Sequence, residues 1–343
     1  MTSTKTTNRW RLYAALSFVC LTLSAGLLFL NGTQSSPAAS AADTPIGAKW
    51  WPSRWGAEDE RGAINFITPE KTVAAARLIK TGKIYSLGQI YEEGMPGPDF
   101  RGLTFRIKTG NPSKNVSFKN KLVGFDDYWV GEIGQIGTQM DGLGHCGVQL
   151  ADGNDYFYNG FKAQDFAKFS GLEKLGVEKL GVFFTRGILI DVAGYKKVDR
   201  IKPGEAITAA DLKATLKAQG SHIQRGDCVL IRTGHSKLWM VDNETYATNE
   251  PGLDLGAALW LIEQEIAHLG ADNWGIEVDP PVENNGERIR VHQELIIKHG
   301  ICLQENLNLE ALAADKVYEF AYISSPLRIR GATGSPGNPI AVR

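Results

Sequence analysis

The sequence predicts an α/β fold, because segments typical of buried strands alternate with segments typical of helices. Two short apolar runs predict strands: Gly187-Ile188-Leu189-Ile190-Asp191-Val192 and Cys228-Val229-Leu230-Ile231-Arg232. Between them, a helix is predicted to begin after Thr208, to include Leu212 and Leu216, and to end near Gly220. A further helix is predicted to begin near Asp254, with these residues spaced for one buried face: Leu255, Leu259, Ile262, Ile266 and Leu269.

The earlier part of the chain gives weaker signals. Thr68-Pro69-Glu70 has the pattern of a helix start, and Gly82 is typical of a helix end. Val73, Ala76 and Ile79 would then form the buried face, with Lys71 and Lys80 left in water. Residues 93–120 lack clear periodicity, and we expect loops there that cover a site.

Composition places the chain among ordinary globular proteins. It has 343 residues, of which 43% are hydrophobic and 22% charged, and a formal net charge of −1. There is neither a basic patch nor an acidic tail, which argues against nucleic acid as a partner. No internal repeat or break in composition indicates a second domain.

The N-terminal residues have the pattern of a secretory signal peptide. Arg9 and Arg11 precede an apolar run from Leu12 to Leu30, and Ala39-Ser40-Ala41 supplies a small-residue cleavage pattern. We therefore expect residues 1–42 to be a signal peptide and processed linker, residues 43–343 to be the functional domain, and the location to be periplasmic or secreted. Because the apolar run is about as long as a membrane span, the alternative is a membrane anchor formed by residues 12–30.

The cysteine pattern indicates neither a disulfide framework nor a zinc knuckle. Cys146, Cys228 and Cys302 are an odd number in the exported chain, and there is no C-x-x-C pair. Cys146 adjoins His145 and could be a nucleophile, but a small buried cysteine is the favoured interpretation.

The segment with the clearest chemistry runs from Gln135 to His145. Gly137, Gly142 and Gly144 allow tight turns, so a loop there could direct Gln139, Asp141 and His145 to one point. A simple glycine-rich turn that caps neighbouring backbone is the competing interpretation. A distant imidazole and carboxylate would complete a set of groups suited to a divalent metal: His292 and Glu305.

This segment resembles the signature of the cyclase family of metal-dependent hydrolases, which includes bacterial kynurenine formamidase and isatin hydrolase. The signature reads His-x-Gly-Thr-His-x-Asp-x-x-x-His, and Gly137, Thr138, Asp141 and His145 match it. Gln135 and Gln139 stand where the first two histidines are expected, so the chain is a divergent member. Further landmarks follow in family order from about Trp55 to Arg343: Arg54-Trp55-Gly56, Asp59-Glu60-Arg61-Gly62, Thr185-Arg186-Gly187 with Asp191, Gly226-Asp227, Arg232-Thr233-Gly234, His292 with Glu305-Asn306-Leu307, Pro326-Leu327, and Thr333-Gly334-Ser335-Pro336.

The resemblance implies one swivelling β/β/α domain, with a barrel-like core of strands and helices outside, assembled as a homodimer or homotetramer. It also implies that Asp141 is shared by two metal positions. Positions 135 and 139 would complete the first metal site, His292 and Glu305 the second, and His145 would be the acid/base.

The two glutamines reduce the expected site to one metal ion. A carboxamide oxygen is a weak neutral ligand that rarely holds zinc. We therefore expect Asp141, His292 and Glu305 to hold a single Zn²⁺ or Mn²⁺, with the amide oxygen of Gln139 as a further ligand.

Candidate substrate-binding residues carry weaker signals. Gln135 belongs to the metal motif, His235 follows a predicted strand end where pockets often form, and Trp55 is one of several tryptophans that could line an aromatic pocket.

These patterns together predict an exported, metal-dependent hydrolase that cleaves an amide, lactam or lactone bond of a small substrate through an activated water. The alternative, which the glutamines motivate, is a weak or inactive family member that binds a small ligand. A periplasmic solute-binding protein is disfavoured because its two similar lobes would show a duplicated pattern.

Overall fold

The computed structural model describes residues 43–98, 101–108, 119–122, 124–132, 134–282 and 286–343. The predicted signal peptide and linker, residues 1–42, lie outside this range. Residues Ala42–Arg343 form one compact unit. No helix in the described part of the chain is long and apolar enough to cross a membrane.

Nineteen strands are found in the described ranges: β1 (Asp43–Thr44), β2 (Gly47–Ala48), β3 (Ile84–Ser86), β4 (Leu103–Lys108), β5 (Asp126–Gly131), β6 (Gln139–Asp141), β7 (Val148–Gln149), β8 (Asp155–Tyr156), β9 (Ala167–Lys168), β10 (Gly171–Leu172), β11 (Phe183–Asp191), β12 (Ala206–Ile207), β13 (Cys228–Arg232), β14 (Gly252–Leu253), β15 (His268–Ala271), β16 (Cys302–Glu305), β17 (Glu319–Ser324), β18 (Gly334–Pro336) and β19 (Ile340–Val342).

The helices of the same ranges are α1 (Pro69–Ala76), α2 (Ala163–Phe166), α3 (Val192–Lys196), α4 (Ala209–Gln219), α5 (Asn243–Thr248), α6 (Leu255–Glu263), α7 (Arg290–His292) and α8 (Glu310–Ala314). A π-helical segment, Gln293–Lys298, continues α7. Short 3₁₀ turns cover Gly62–Phe66, Tyr158–Gly160, Val177–Lys179 and His235–Leu238.

One strongly curled, nine-stranded sheet organises the domain, in the order β18-β6-β16-β15-β13-β11-β17-β19-β3. Its centre is parallel, from β11 through β13 and β15 to β16, and its two flanks are antiparallel. Helices lie in the connections between the parallel strands, as parallel pairing requires. The predicted α/β class and the curled β core with outer helices are therefore confirmed.

The central strands and their helix formed as predicted. β11 and β13 cover the two apolar runs, and the side chains of β13 are all buried. Thr208 caps α4 with a reciprocal capping box to Asp211, and Gly220 ends it in the left-handed conformation, with φ of +69°.

Two of the family landmarks hold these strands together. Arg186 on β11 donates to the wholly buried carboxylate of Asp227, at 2.7 Å from Nη2. At the other end of the same strands, Arg232 donates to Asp191 at 2.7 Å. Both ion pairs join β11 to the segment that contains β13, so these four residues stabilise the sheet.

The predicted buried face of the first helix was wrong. Thr68 caps α1 as expected, but the helix ends at Ala76, six residues before Gly82. Val73 and Ile79 are 51% and 39% exposed, whereas Ala75 is buried. The helix lies along β11 through a hydrogen bond from Thr72 to the Phe184 carbonyl and an ion pair from Lys71 to Asp227. These two polar contacts therefore set the orientation of α1, and the spacing of its apolar residues does not.

Two other expectations are corrected. Residues 93–120 are not loops throughout, because β4 pairs with β5 in an antiparallel hairpin; residues 99–100 and 109–118 lie outside the described ranges. Asp254 caps α6 as predicted, but the helix ends at Glu263, so Ile266 and Leu269 follow it and Leu259 is 41% exposed.

A candidate metal centre and catalytic cavity

The strand β6 places two of the candidate ligands, where a loop was expected. Gln139 and Asp141 are its first and last residues, and alternate residues of a strand point to the same face. β6 lies between β16 and β18, with Glu305 directly opposite Gln139 and Gly334 opposite Asp141. The pairing therefore brings Gln139, Asp141 and Glu305 to one face of the sheet.

A tight turn before β6 fixes its position. Gly137 has φ of +70°, and a side chain there would collide with the ring of Tyr91 at 2.6 Å. Asn306 donates its amide to the Gly137 carbonyl at 2.8 Å, and Thr138 donates its hydroxyl to the Asn306 carbonyl at 2.7 Å. These bonds lock the turn to the end of β16, next to Glu305.

Three buried groups converge at this point: Asp141, His292 and Glu305. One potential ligand atom of each lies within 4.8 Å of the others. The Nε2 atom of His292 is 3.2 Å from Glu305 Oε1 and 3.7 Å from Asp141 Oδ2. Residues that are far apart in the sequence thus form a compact set of one imidazole and two carboxylates, which suits a borderline divalent metal.

Glu277 holds the imidazole in the orientation that a metal needs. Its Oε1 lies 2.7 Å from His292 Nδ1, and its carboxylate also accepts the backbone N–H groups of Val291 and His292, both at 3.1 Å. When Nδ1 carries the proton, the lone pair of Nε2 faces the two other carboxylates. A carboxylate behind a histidine is the usual support of a metal ligand.

The two glutamine side chains donate to the candidate ligands. Gln135 Nε2 donates to Asp141 Oδ1 at 3.1 Å, and Gln139 Nε2 donates to Glu305 Oε2 at 2.8 Å. The amide oxygens of both glutamines are buried without a hydrogen-bond partner among the described residues. Gln139 thus turns its nitrogen toward Glu305, and its expected role as a ligand through Oε1 stays a prediction.

Electrostatics at the centre favour a cation. Burial, followed by the charge of Asp141, raises the pKa of Glu305 to about 7. Burial also opposes ionisation of Asp141, but His145, His292 and the bond from Gln135 outweigh it and lower its pKa. Burial alone would lower the pKa of His292, yet its bonds to Asp141, Glu277 and Glu305 raise it well above the usual value. Without a metal, the protonated imidazole of His292 is therefore the cation that offsets the carboxylates of Asp141, Glu277 and Glu305.

His145 reaches the same centre from the turn after β6. Its Nε2 lies 3.7 Å from Asp141 Oδ2, and about a fifth of its side chain is exposed. Burial lowers the pKa of His145, partly opposed by the charge of Asp141. The imidazole is therefore neutral at neutral pH and able to accept a proton.

A cavity of about 220 Å³ opens onto these groups. Its walls include Pro98, Arg101, Ile136, Trp274 and Ile289. Arg101 donates to the Gln135 carbonyl at 3.0 Å, so a cation lies beside the carboxylates. The predicted cover from residues 93–120 is found in part, since Pro96, Gly97 and Pro98 line the cavity.

Cys146 also lines the cavity, but it is not the nucleophile that its position beside His145 first suggests. Burial raises the pKa of its thiol to about 12, so it is protonated at neutral pH. Cys146, Cys228 and Cys302 are all free.

Two predicted substrate-binding residues lie elsewhere. The ring of His235 is wholly buried, stacked on Tyr246 with centroids 4.7 Å apart, and does not line the cavity. Trp55 packs edge-on against Phe66 and lines a separate cavity of about 430 Å³ that shares no residue with the site. Gln135 does line the site. Burial keeps His235 out of the cavity, whereas the half-buried Trp55 lines a different one, and the sequence alone could not show either placement.

Sequence reasoning missed Glu277, because a single glutamate without a recognisable spacing carries no signal. It also missed Arg101 and Trp274, which come from separate segments that only the folded chain brings to the cavity.

Comparison with known proteins agrees with this geometry. Residues 67–278 match the family model described as "Putative cyclase", and the chain belongs to this cyclase family.

A solved structure described as a novel cyclase is 33% identical, covers 84% of this chain and 96% of its own, and superposes with a TM-score of 0.74. An isatin hydrolase bound to the product analogue thioisatinate is 17% identical, with coverage of 80% and 98% and a TM-score of 0.54. Isatin hydrolase A from Ralstonia solanacearum is 18% identical, with coverage of 81% and 98% and a TM-score of 0.56. At that identity the isatin hydrolases show a shared fold. A search of curated proteins gave no significant match.

Proposed function

We propose that this chain is an exported, metal-dependent hydrolase that cleaves an amide, lactam or lactone bond of a small substrate, cyclic substrates included. The observation that carries the proposal is the convergence of Asp141, His292 and Glu305, with His145 beside them, in one cavity. The shared fold with proteins named isatin hydrolase supports it.

The three convergent groups would hold one Zn²⁺ or Mn²⁺ ion. Their charges and spacing fit such an ion, and the chemistry it supplies when bound is polarisation of a carbonyl and acidification of water. Glu277 fixes the His292 ring, and Gln135 and Gln139 fix the two carboxylates, so the ligands are oriented before the ion arrives.

His145 would act as the acid/base. Its neutral imidazole accepts a proton from the attacking water and later returns it to the leaving nitrogen or oxygen. Asp141, 3.7 Å away, stabilises the imidazolium formed in between.

The size and lining of the cavity suit a small substrate whose hydrolysis product is an anion. Its volume, about 220 Å³, lies below the usual range for drug-sized ligands. Trp274 and Ile136 offer apolar walls to a ring, and Arg101 supplies a positive charge in the same cavity that would attract the carboxylate formed by hydrolysis.

The test is a screen of the Zn²⁺- or Mn²⁺-loaded protein against formamides, cyclic amides and lactones, with Asp141→Asn as the inactive variant. Cys146→Ala is the matched control, since Cys146 lines the same cavity with a protonated thiol and should keep full activity. Turnover that survives Asp141→Asn would contradict the proposal.

A second function, binding of a small ligand without catalysis, is favoured by one observation. Gln135 and Gln139 occupy one oxygen of each carboxylate with an N–H donor, which weakens both as ligands. Metal analysis of the purified protein separates the two functions. About one equivalent of tightly held Zn or Mn supports the hydrolase, and a metal-free protein supports the binder.

Export is proposed from the N-terminal pattern of two arginines, an apolar run and a small-residue site. Mass spectrometry of protein from the periplasm or medium should find a mature chain that begins after Ala41 or Ala42. A full-length chain in the membrane fraction would instead identify an uncleaved anchor.

A further inference from the structure

A second cavity, with a volume of about 390 Å³, adjoins the catalytic cavity. Three residues line both of them: Gly97, Pro98 and Trp274. Residues that line two cavities lie between them, so Trp274 and the Gly97–Pro98 segment form a neck that joins the two spaces. The other walls of the second cavity come mainly from the C-terminal half of α5. We call this second space the outer cavity.

Buried hydrogen bonds fix the walls of the outer cavity relative to one another. Glu250, which is 1% exposed, accepts the backbone N–H of Trp274 at 2.7 Å. The backbone of Glu250 also exchanges two hydrogen bonds with Asp279, at 3.0 and 3.1 Å. Thr248, the last residue of α5, precedes Glu250 by two positions. Thr248, Trp274 and Asp279 are all walls, so the outer cavity is built into the fold.

A direct contact also ties the outer cavity to the metal centre. Tyr246 of α5 lines the outer cavity, and its hydroxyl donates to Asn306 Oδ1 at 2.6 Å. Asn306 lines the catalytic cavity and follows Glu305 in the chain. Both side chains are buried. The distance between the outer cavity and the candidate metal ligands is therefore set by the packing of the core.

The two cavities differ in chemistry. The catalytic cavity contains carboxylates, imidazoles and Arg101, whereas Pro98, Ala247 and the ring of Trp274 give the outer cavity apolar walls. Its two charged residues, Asp279 and Arg288, form an ion pair at 2.8 Å, and the Arg288 side chain is 68% exposed. Their charges offset each other near the solvent, so the outer cavity suits an uncharged group.

We propose that the outer cavity binds a bulky, uncharged substituent of the substrate, of about the size of a phenyl ring, while the reacting bond occupies the catalytic cavity. This inference rests on the hydrolytic function proposed above. The catalytic cavity alone, at about 220 Å³, is smaller than the roughly 300–1,000 Å³ of most ligand pockets, whereas the two volumes together fall within that range. The substrate class is therefore an amide, lactam or lactone that carries such a substituent.

Trp274 is the residue that would recognise a substrate extending through the neck. Its indole N–H is buried and has no acceptor among the described residues. An indole nitrogen can only donate, and a buried donor without an acceptor is unfavourable. A substrate with an oxygen next to its substituent would supply the acceptor, while the face of the indole packs against the apolar group.

Calorimetric titration of two carboxylates into the purified full-length protein with Zn²⁺ tests the outer cavity without requiring turnover. Propionate and 3-phenylpropionate belong to the class of product that hydrolysis forms, and they differ only in the phenyl ring. Moving on the order of 100 Å² of apolar surface out of water should make 3-phenylpropionate bind at least about tenfold more tightly. Equal affinities would overturn the proposal.

Ala247→Trp is the variant, because it fills the outer cavity and should remove the preference for 3-phenylpropionate. Ala218→Trp is the matched control: Ala218 is an exposed residue of α4 that lines neither cavity, and the preference should persist. Circular dichroism checks that both variants are folded, and Thr248→Trp gives a second probe of the same walls. A preference that survives both Ala247→Trp and Thr248→Trp would place the phenyl ring elsewhere and overturn the proposal.

Turnover separates this inference from the function on which it rests. In the screen of formamides, cyclic amides and lactones, each parent compound is paired with its phenyl-substituted analogue. We expect at least about a tenfold higher kcat/KM for the substituted member of a hydrolysed pair. Hydrolysis of parents and analogues with equal kcat/KM would refute the outer cavity as a substrate site and leave the hydrolase intact. A phenyl preference in binding without hydrolysis of any compound would refute the hydrolase and support the outer cavity as a ligand site.

Discussion

The contact between Glu277 and His292 gives the sharpest test of the metal centre. Glu277→Gln keeps the size of the side chain but removes the charge that faces His292 Nδ1 at 2.7 Å. The amide oxygen can replace Oε1, which accepts from the backbone N–H of His292, but the amide nitrogen then replaces Oε2, which accepts from the backbone N–H of Val291. Circular dichroism therefore checks that the variant is folded.

The expected loss is in metal affinity. Removing the carboxylate behind a metal-binding histidine typically costs 10- to 100-fold, or about 1.4–2.8 kcal/mol. The value should lie toward the upper end, since Glu277 is 7% exposed and its charge is little screened by water. Isothermal titration of Zn²⁺ and Mn²⁺ into chelator-treated protein measures it directly.

Glu250→Gln is the matched control. Glu250 is also buried, and its carboxylate accepts from the backbone of Trp274 and Gly275, but it does not contact His292. Burial, followed by the charge of Glu305, raises the pKa of Glu250 well above its usual value and so disfavours its charged form. If Glu277→Gln binds metal like the wild type, or if Glu250→Gln weakens binding equally, the proposed support of His292 is refuted.

Three further outcomes are expected. His145→Ala should lower turnover at least about a hundredfold with unchanged metal content; an unimpaired variant would exclude His145 as the acid/base. In metal-free protein, the raised pKa values of Glu305, about 7, and of His292 mean that the folded state keeps protons which the unfolded chain releases. Both groups therefore destabilise the metal-free fold as the pH rises through about 7, and thermal melts should show a larger gain in stability from added metal at pH 8 than at pH 5.5. Asp227→Asn should destabilise the fold by about 3 kcal/mol in urea denaturation, because it leaves Arg186 buried beside a neutral group; a change below about 1 kcal/mol would contradict that estimate.

Much of the candidate site was predictable because its chemistry is carried by residue types. Carboxylates and imidazoles in a family-like order identified Asp141, His145, His292 and Glu305, and the structure brings all four together. How they meet was not predictable from the glycines. Gln139 and Asp141 share a face because they are alternate residues of a strand that pairs with β16. Strand pairing of this kind joins distant parts of the chain, so the local sequence does not reveal it.

The same limit explains the errors in the fold. Strands β11 and β13 are continuous apolar runs, so local composition was enough to identify them. The face of α1 is set by bonds from Lys71 and Thr72 to distant residues, and no helical periodicity could reveal those partners. The β4–β5 hairpin was missed although β4 alternates Leu103, Phe105 and Ile107 with polar residues. Its partner β5, Asp126–Gly131, lacks that alternation, so no second strand indicated a hairpin.

The two glutamines decide how many ions the centre can hold. Each takes one carboxylate oxygen through an N–H donor, Gln135 at Asp141 Oδ1 and Gln139 at Glu305 Oε2. The remaining oxygens, Asp141 Oδ2 and Glu305 Oε1, are the ones that face His292 Nε2. A second ion would need the oxygens that the amides already occupy, and neutral amide oxygens would be its only replacement for two imidazoles. The geometry therefore favours one cation between Asp141, His292 and Glu305, with the amides holding the ligands in place.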